Sequence, residues 1–309
     1  MRRIAAVVVT YNRRELLQAC IRHLQAQNHR TAFPDSLDII VVDNGSTDGT
    51  GGDFRDLAPE GPVRYYNTGS NLGGAGGFNY GMRKAVELGY DHLWIMDDDC
   101  MPHEDALLEL LNADRTLQGD YGYLSSVVRW TDGSICTMNV QRHPLTNSIS
   151  DFSPELQPAT LASFVSLFVP ASVVKELGLP IKDFFIWSDD WEFTRRISRR
   201  FPCYVAGRSV VTHESKSNGV GNIALDAEEK IPRYKLAYRN DVVLYRREGL
   251  RGYAYLFARG CYHTLLVLTK AKSKKLERWR TILHGNLEGL GFHPEIEFVG
   301  RSADDPTEG

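Results

Sequence analysis

Three apolar runs in the first hundred residues each end abruptly on a polar cluster, and this pattern restricts the fold more than any other feature. Residues 4–9 (IAAVVV) run into Thr10-Tyr11-Asn12-Arg13, residues 38–42 (DIIVV) into Asp43-Asn44-Gly45, and residues 92–96 (HLWIM) into Asp97-Asp98-Asp99. Runs without polar alternation need strands covered on both faces, as in a parallel sheet. Between them lie helical spacings, Leu16, Leu17, Cys20, Ile21 and Leu24 in one stretch and residues 77–88 in another. A further short strand is expected at 63–66. The alternation predicts an α/β fold, a doubly wound and mostly parallel sheet. Ligands bind such sheets beyond the carboxyl ends of the strands, where all three polar clusters fall.

The chain has 309 residues, room for one α/β domain of about 200–250 residues and a smaller appendage. We expect a domain over residues 1–225, a helical region over 226–300 and a disordered polar tail over 301–309. A formal net charge of −3 gives no reason to expect nucleic-acid binding. Five dispersed cysteines without a CxxC pair read as reduced thiols rather than a disulfide framework or zinc site. The first apolar run is shorter than a secretory h-region, and no window of about 18 apolar residues exists. The expected location is cytoplasmic.

Four groups of residues could carry chemistry. In an extended segment Asp97 and Asp99 point to the same side and Asp98 to the other. Two carboxylates crowded in a site of low dielectric repel unless a cation lies between them, and hard oxygen donors suit Mg²⁺ or Mn²⁺. The alternative is a solvated acidic turn. Residues 71–81 (NLGGAGGFNYG) read as a glycine-rich loop able to bring backbone N–H groups close to a phosphate, or simply as a flexible one. No Gly-Lys-Ser/Thr follows, and the first strand lacks the glycine turn of a dinucleotide-binding fold. The stretch Trp187-Ser188-Asp189-Asp190-Trp191-Glu192 puts three carboxylates at the start of a helix expected over 184–200. They could serve only the helix dipole, or supply a base beside an apolar wall. His213, after the strand-like residues 210–212, is a third metal donor if it meets Asp97 and Asp99.

Taken in order, VVVTYNR, VVDNGSTDGT, NLGGAGGFNYG, WIMDDDC, FFIWSDDWEF and VVTHES resemble family 2 glycosyltransferases of the GT-A fold, over about two-thirds of the chain. Within that family the glycine run and the acidic pair beside tryptophan look most like galactofuranosyltransferases. The resemblance implies that Thr10, Tyr11, Arg13 and Asp43 hold a uridine, with Asn71, Gly74 and Asp98 also on the donor side. Asp97, Asp99 and His213 would hold Mn²⁺ or Mg²⁺ on the diphosphate. Asp190 would be the base, with Asp189, Trp187, Trp191 and Glu192 shaping the acceptor site. The arginine that many members carry after the glycine turn is replaced here by Gly77-Phe78-Asn79, which leaves Arg83 as a substitute or none. The implied reaction is inverting transfer of galactofuranose from UDP-galactofuranose to a hydroxyl of a cell-surface glycan or lipid-linked acceptor. Rhamnosyl transfer from a thymidine-linked donor is the alternative, followed by a non-catalytic nucleotide-sugar-binding module.

Beyond residue 226 the chain becomes rich in Arg, Lys, Tyr and Leu, and two or three amphipathic helices are expected. Lys270, Lys272, Lys274 and Lys275 follow an apolar stretch, so the unit could lie peripherally on the inner face of an anionic membrane. The alternative is an ordinary helical pair with a solvated basic face.

Overall fold

The computed structural model describes residues 1–54 and 61–300. The tail expected to be disordered, 301–309, lies outside the described residues. Strands β1 (Arg3–Thr10), β2 (Ser36–Asp43), β3 (Val63–Asn67) and β4 (His92–Asp97) form the parallel half of the sheet, in the order β3-β2-β1-β4. The sheet continues through β8 (Leu167–Pro170), β6 (Leu124–Trp130), β9 (Tyr204–His213) and β5 (Cys100–Pro102), where pairing is mostly antiparallel. The short β7 (Leu156–Pro158) also pairs with β9.

Side chains alternate across β1 as a strand requires. Ala5, Val7 and Val9 pack into one core with Phe78 and Met82 of α2 (Gly73–Glu87) and Phe193 and Ile197 of α5 (Asp189–Ser198). Ile4, Ala6 and Val8 pack into another with Leu17, Cys20 and Leu24 of α1 (Arg14–Gln25) and Leu107 and Leu110 of α3 (Ala106–Leu117). Both faces are therefore covered, which is why β1 carries no polar residue from Ile4 to Val9 and turns polar only at Thr10. The short α4 (Ala171–Leu177) joins the first core.

The glycine run is not a loop. It forms the first two turns of α2, which begins at Gly73 and not at the expected residue 77. Glycine is a poor helix former, but here close packing overrides propensity. A Cβ on Gly77 would lie 2.5 Å from Val9 Cγ1, and one on Gly81 would lie 2.5 Å from Val7 Cγ1 and 2.8 Å from Val42 Cγ2. The helix thus rests directly on β1 and β2. Gly74 alone in this helix meets nothing within 4 Å.

Residues 226–300 hold three helices, α6 (Ile231–Arg246), α7 (Leu250–Lys270) and α8 (Lys275–Gly291). They are less of an appendage than the sequence suggests. Val243 of α6 shares a core with Ala75 of α2, Ile181 and Phe184. After α8 the chain returns to the sheet domain, where Glu297 pairs with Arg83 at 3.1 Å and Lys182 at 2.7 Å.

Close packing of α2 predicts opposite fates for two of its glycines. Gly81→Ala should destabilise the protein by about 1–3 kcal/mol through overpacking. Gly74→Ala should stay within about 1 kcal/mol of wild type. Urea unfolding of both variants checks this, and equal stabilities would contradict it.

Candidate active site

Sheet register assembles the first part of the site. Thr10 lies opposite Asp43, and Val9 opposite Asp97, so the carboxyl ends of β1, β2 and β4 form one row. Across the sheet, β5 and β9 pair Cys100 with His213, which sets the imidazole beside Asp99. The Glu214 N–H also donates to the Asp99 carbonyl at 2.8 Å.

His213 Nε2 lies 3.1 Å from Asp99 Oδ1. Its other nitrogen, Nδ1, lies 2.8 Å from Asn139 Oδ1. The Asn139 amide is oriented because its Nδ2 donates to Ser163 Oγ at 3.1 Å. Nδ1 therefore carries a proton, and Nε2 is the nitrogen presented to the carboxylate. Without a cation that nitrogen must also be protonated. Burial opposes the charge, but Asp99 outweighs it and lifts the His213 pKa to about 10. Asp99 Oδ1 is buried and accepts no well-directed hydrogen bond. An imidazole nitrogen and an orphaned carboxylate oxygen facing each other suit a divalent cation. Among the described residues, however, no three His, Cys, Asp or Glu side chains converge on one point. The expected triad is thus drawn together as a pair, with Asp97 close by through its charge.

Asp98 lies in the same turn and shares Arg13 with Asp99. Thr10 Oγ1 donates to Asp98 at 2.7 Å, and Arg13 Nη1 reaches Asp98 at 3.1 Å and Asp99 at 2.7 Å. Thr10 and Arg13 are therefore engaged with the acidic triplet instead of standing free for a nucleoside. Asp43 is fully buried and accepts from the Ser46 N–H at 2.7 Å and the Tyr65 hydroxyl at 2.5 Å. It shapes the turn after β2. Tyr11 is 43% exposed at the mouth, which leaves its ring available to a base. Asn71 is exposed, and its Oδ1 accepts the Gly73 N–H at 2.8 Å at the start of α2.

The second part of the site is the N-terminus of α5. Asp189 is buried, while Asp190 is partly exposed and its Oδ1 accepts the Trp191 N–H at 2.7 Å. Burial pushes the Asp190 pKa well up, and the charges of Asp189 and Asp97 add to that push. Burial likewise raises Asp189 to about 6. Trp187 packs its ring on Tyr234 at 5.2 Å, and Trp191 lies under the Arg142 guanidinium at 4.1 Å.

Two expectations fail. Glu192 is 1% exposed and is held by Arg196 at 2.9 Å and by Arg247, so it is not presented to an acceptor. Arg83 is tied to Glu297 and does not stand in for the missing donor arginine. Sequence reasoning missed Asn139, which orients His213, and the α6 pair Asn240-Asp241, which lies against residues 184–188. The only signal for the latter was two polar residues inside a helical run of Tyr, Val and Leu.

Buried acids carry a stability cost that depends on pH. Burial, with Asp99 adding repulsion, raises the Asp97 pKa to about 7. Below about pH 4 the group is protonated in folded and unfolded chains alike. As pH rises towards 7 the unfolded chain ionises freely and the folded one does so at a cost, so stability falls. Asp97→Asn should therefore stabilise the metal-free protein at pH 8 by on the order of 2 kcal/mol and not at pH 4. Denaturant unfolding in excess chelator at both values tests this. An equal gain at both would refute the electrostatic origin.

Residues 5–131 match the model of glycosyl transferase family 2. The galactofuranosyltransferase GlfT1 of Mycolicibacterium smegmatis is 32% identical over 206 residues, 63% of this chain and 65% of that protein. The chain thus spans about 65% of the length of that curated relative. The mannosyltransferase PcManGT of Pyrobaculum calidifontis, solved with GDP-Man and Mn²⁺, superposes with a TM-score of 0.55 at 16% identity, covering 94% of this chain and 75% of the other. GalNAc-T7, solved with UDP, GalNAc and Mn²⁺, gives a TM-score of 0.63 at 14% identity, covering 93% and 55%. At those identities the two structures speak for the fold alone. The order of the strands, the acidic row at their carboxyl ends and the family match agree: residues 5–131 match a glycosyl transferase family 2 domain, and the chain has a GT-A fold.

Proposed function

We propose that the protein is a divalent-metal-dependent inverting glycosyltransferase that moves galactofuranose from UDP-galactofuranose to a hydroxyl of a cell-surface glycan or lipid-linked acceptor. The observation that carries this reading is the approach of two acidic groups carried by different elements of the fold. The Asp97–Asp99 row and its histidine come from the sheet, and Asp189-Asp190 come from α5, near enough that Asp97 adds to the raised pKa of Asp190. The galactofuranose donor is favoured by the relative that is 32% identical over 63% of this chain.

Asp99 and His213 would hold the cation, with Asp97 as the third donor. A cation held there would supply positive charge against the departing diphosphate. Tyr11, Thr10, Arg13, Asp43, Asn71 and Gly74 frame the nucleotide side of the cleft. Asp98 holds Thr10 and Arg13 in place there. On the acceptor side, Asp190 takes the proton of the attacking hydroxyl as the new bond to the anomeric carbon forms and the bond to the diphosphate oxygen breaks. Its Oδ1 is committed to the Trp191 N–H, which leaves the other oxygen for that proton. A carboxylate whose pKa is raised by burial is a stronger base near neutrality. Asp189 orients the acceptor, and Trp187 and Trp191 help to exclude water.

Peripheral membrane contact is supported by a different feature. No helix among the described residues is long and apolar enough to cross a membrane. The outer face of α7 and α8 is nevertheless apolar rather than basic, with Tyr253, Phe257, Leu268, Trp279, Leu283 and Leu287 exposed. Between the two helices runs a groove of about 420 Å³ lined by several of these side chains. Lys270, Lys272, Lys275 and Arg280 stand exposed around the turn that joins the helices. An apolar face with a cationic rim fits an anionic bilayer surface.

Transfer should be seen as UDP release from UDP-galactofuranose with Mn²⁺ or Mg²⁺, in a panel that includes UDP-galactopyranose and thymidine-diphospho-rhamnose. Chelator or Asp99→Ala should abolish it, and Asp190→Asn should lower turnover roughly 10²–10⁴-fold while UDP affinity holds. Full activity in excess chelator would defeat the metal assignment, and reaction of the rhamnose donor alone would reassign the sugar. Phosphatidylserine vesicles should pellet the protein, less so as salt rises and less again for Phe257→Asp with Trp279→Asp. Equal pelleting with neutral vesicles, or a stable dimer hiding this face, would remove the membrane reading.

A further inference from the structure

Residues 184–188, which lead into the acidic pair, follow an improbable path. Phe185, Trp187 and Ser188 have φ of 64°, 68° and 66°, a region that disfavours any residue with a Cβ. Three such residues in four persist only where their surroundings over-determine them. Every carbonyl along this path is held. Arg239 Nη2 donates to Asp183 O at 2.8 Å, and Ala75 N to Phe185 O at 3.2 Å. The Asn240 amide, with no exposed surface, donates to Phe184 O and Ile186 O at 3.1 Å and to Trp187 O at 2.9 Å. Its own oxygen accepts from Arg239 Nε at 3.1 Å, which fixes the amide with its nitrogen towards the loop. Its neighbour Asp241, 4% exposed, accepts from Ser188 Oγ at 2.7 Å and is paired on its other oxygen with Arg259 of α7.

We infer that Asn240 and Asp241 of α6 are positioning residues for the base: they hold the strained 184–188 path that aims Asp189 and Asp190 into the cleft. The inference rests on the proposed role of Asp190. Neither residue belongs to the sets assigned to donor, cation or acceptor, so they act through the backbone that carries the base. The two amide hydrogens are shared among three carbonyls, and no apolar side chain of that size could replace them. Removing the amide leaves the Ile186 and Trp187 carbonyls without that donor, while Phe184 O keeps the Ile186 N–H at 2.7 Å, and lets the left-handed residues relax. Ser188 is fixed from two directions, because its carbonyl accepts the Glu192 N–H at 2.9 Å to start α5 while its hydroxyl is bonded to Asp241. Asp241 is anchored in turn by an arginine from the next helix. The C-terminal helices are therefore part of the device that sets the direction of the base.

The test compares turnover with nucleotide binding in the full chain. Turnover is UDP release from UDP-galactofuranose with Mn²⁺, water serving as acceptor, and binding is titration with UDP and Mn²⁺. Asn240→Leu should lower turnover roughly 10- to 100-fold, the scale of a small misplacement of a reacting group, and leave UDP affinity within about twofold. In an Asp190→Asn background the same change should cause no further loss, because the two act through one group. Ser188→Ala gives a milder version of the same pattern, about 3- to 10-fold, and keeps the test open should Asn240→Leu fail to fold. Losses that multiply with Asp190→Asn, or UDP affinity that falls in step with turnover, would overturn the positioning role. Full turnover by Asp190→Asn alone would instead remove the base assignment and the inference with it, and that result needs no variant of α6.

Discussion

Carboxylates crowded where water is scarce set the terms for the rest of this molecule. Asp97, Asp98 and Asp99 end one strand, Asp189 and Asp190 begin one helix, and four of these five have pKa values pushed upward, chiefly by burial. Asp99 is the exception because His213 and Arg13 outweigh its burial. An interior like this is stable only with positive charge or hydrogen bonds aimed into it. The chain supplies Arg13, Thr10 and His213, each from a different strand end or loop, and still leaves one oxygen of Asp99 without a well-directed partner. A cation with its own diphosphate would complete that balance, and the proposed nucleotide binding would then also relieve the internal repulsion.

The same economy governs the scaffold. Glycine is used in α2 where helix and sheet must nearly touch, and Gly73 shows why this matters for the site. A Cβ there would fall 2.0 Å from Phe185 O, at the carbonyl that Ala75 N–H holds. The glycine run thus lets α2 reach under the strained path before the acidic pair, while Asn240 grips that path from the other side. A feature that reads as a phosphate loop works largely as a packing device, with Gly74 alone facing open space.

What the sequence discloses follows from how local its causes are. Apolar runs, their polar ends and the two acidic clusters are local, so the parallel half of the sheet and the principal carboxylates were legible. The glycine run misleads because glycine argues against helix, and the packing against Val7, Val9 and Val42 that overrides this is long-range. Glu192 beside Asp189 and Asp190 looks like a third functional acid. One of its arginines, Arg196, is a local i+4 neighbour, but the other, Arg247, comes from beyond α6. The antiparallel half of the sheet rests on strands as short as β5 and β7, which carry too few residues to show a period. Asn240 and Asp241 look like unremarkable polar residues in a helix until the carbonyls they face are known.

These observations bear on where a boundary can be drawn in the chain. The composition changes near residue 226, yet the physical continuity does not. Trp187 shares a core with Tyr234 and Tyr238, and Trp191 shares one with Tyr245 and Leu256. Arg195 of α5 and Arg199 just after it both pair with Glu248, at 2.7 Å and 2.6 Å. The helix that carries the acidic pair is thus packed against the sheet on one side and bolted to the C-terminal helices on the other. The outer face of those helices, apolar and exposed, is the face proposed to meet a membrane. Contact there would act on the elements that hold Asp190, since Arg259 of α7 anchors Asp241 and Asp241 anchors Ser188. The arrangement joins the surface proposed to meet a membrane to the group proposed to take the acceptor's proton, through the Arg259–Asp241 ion pair and one hydroxyl.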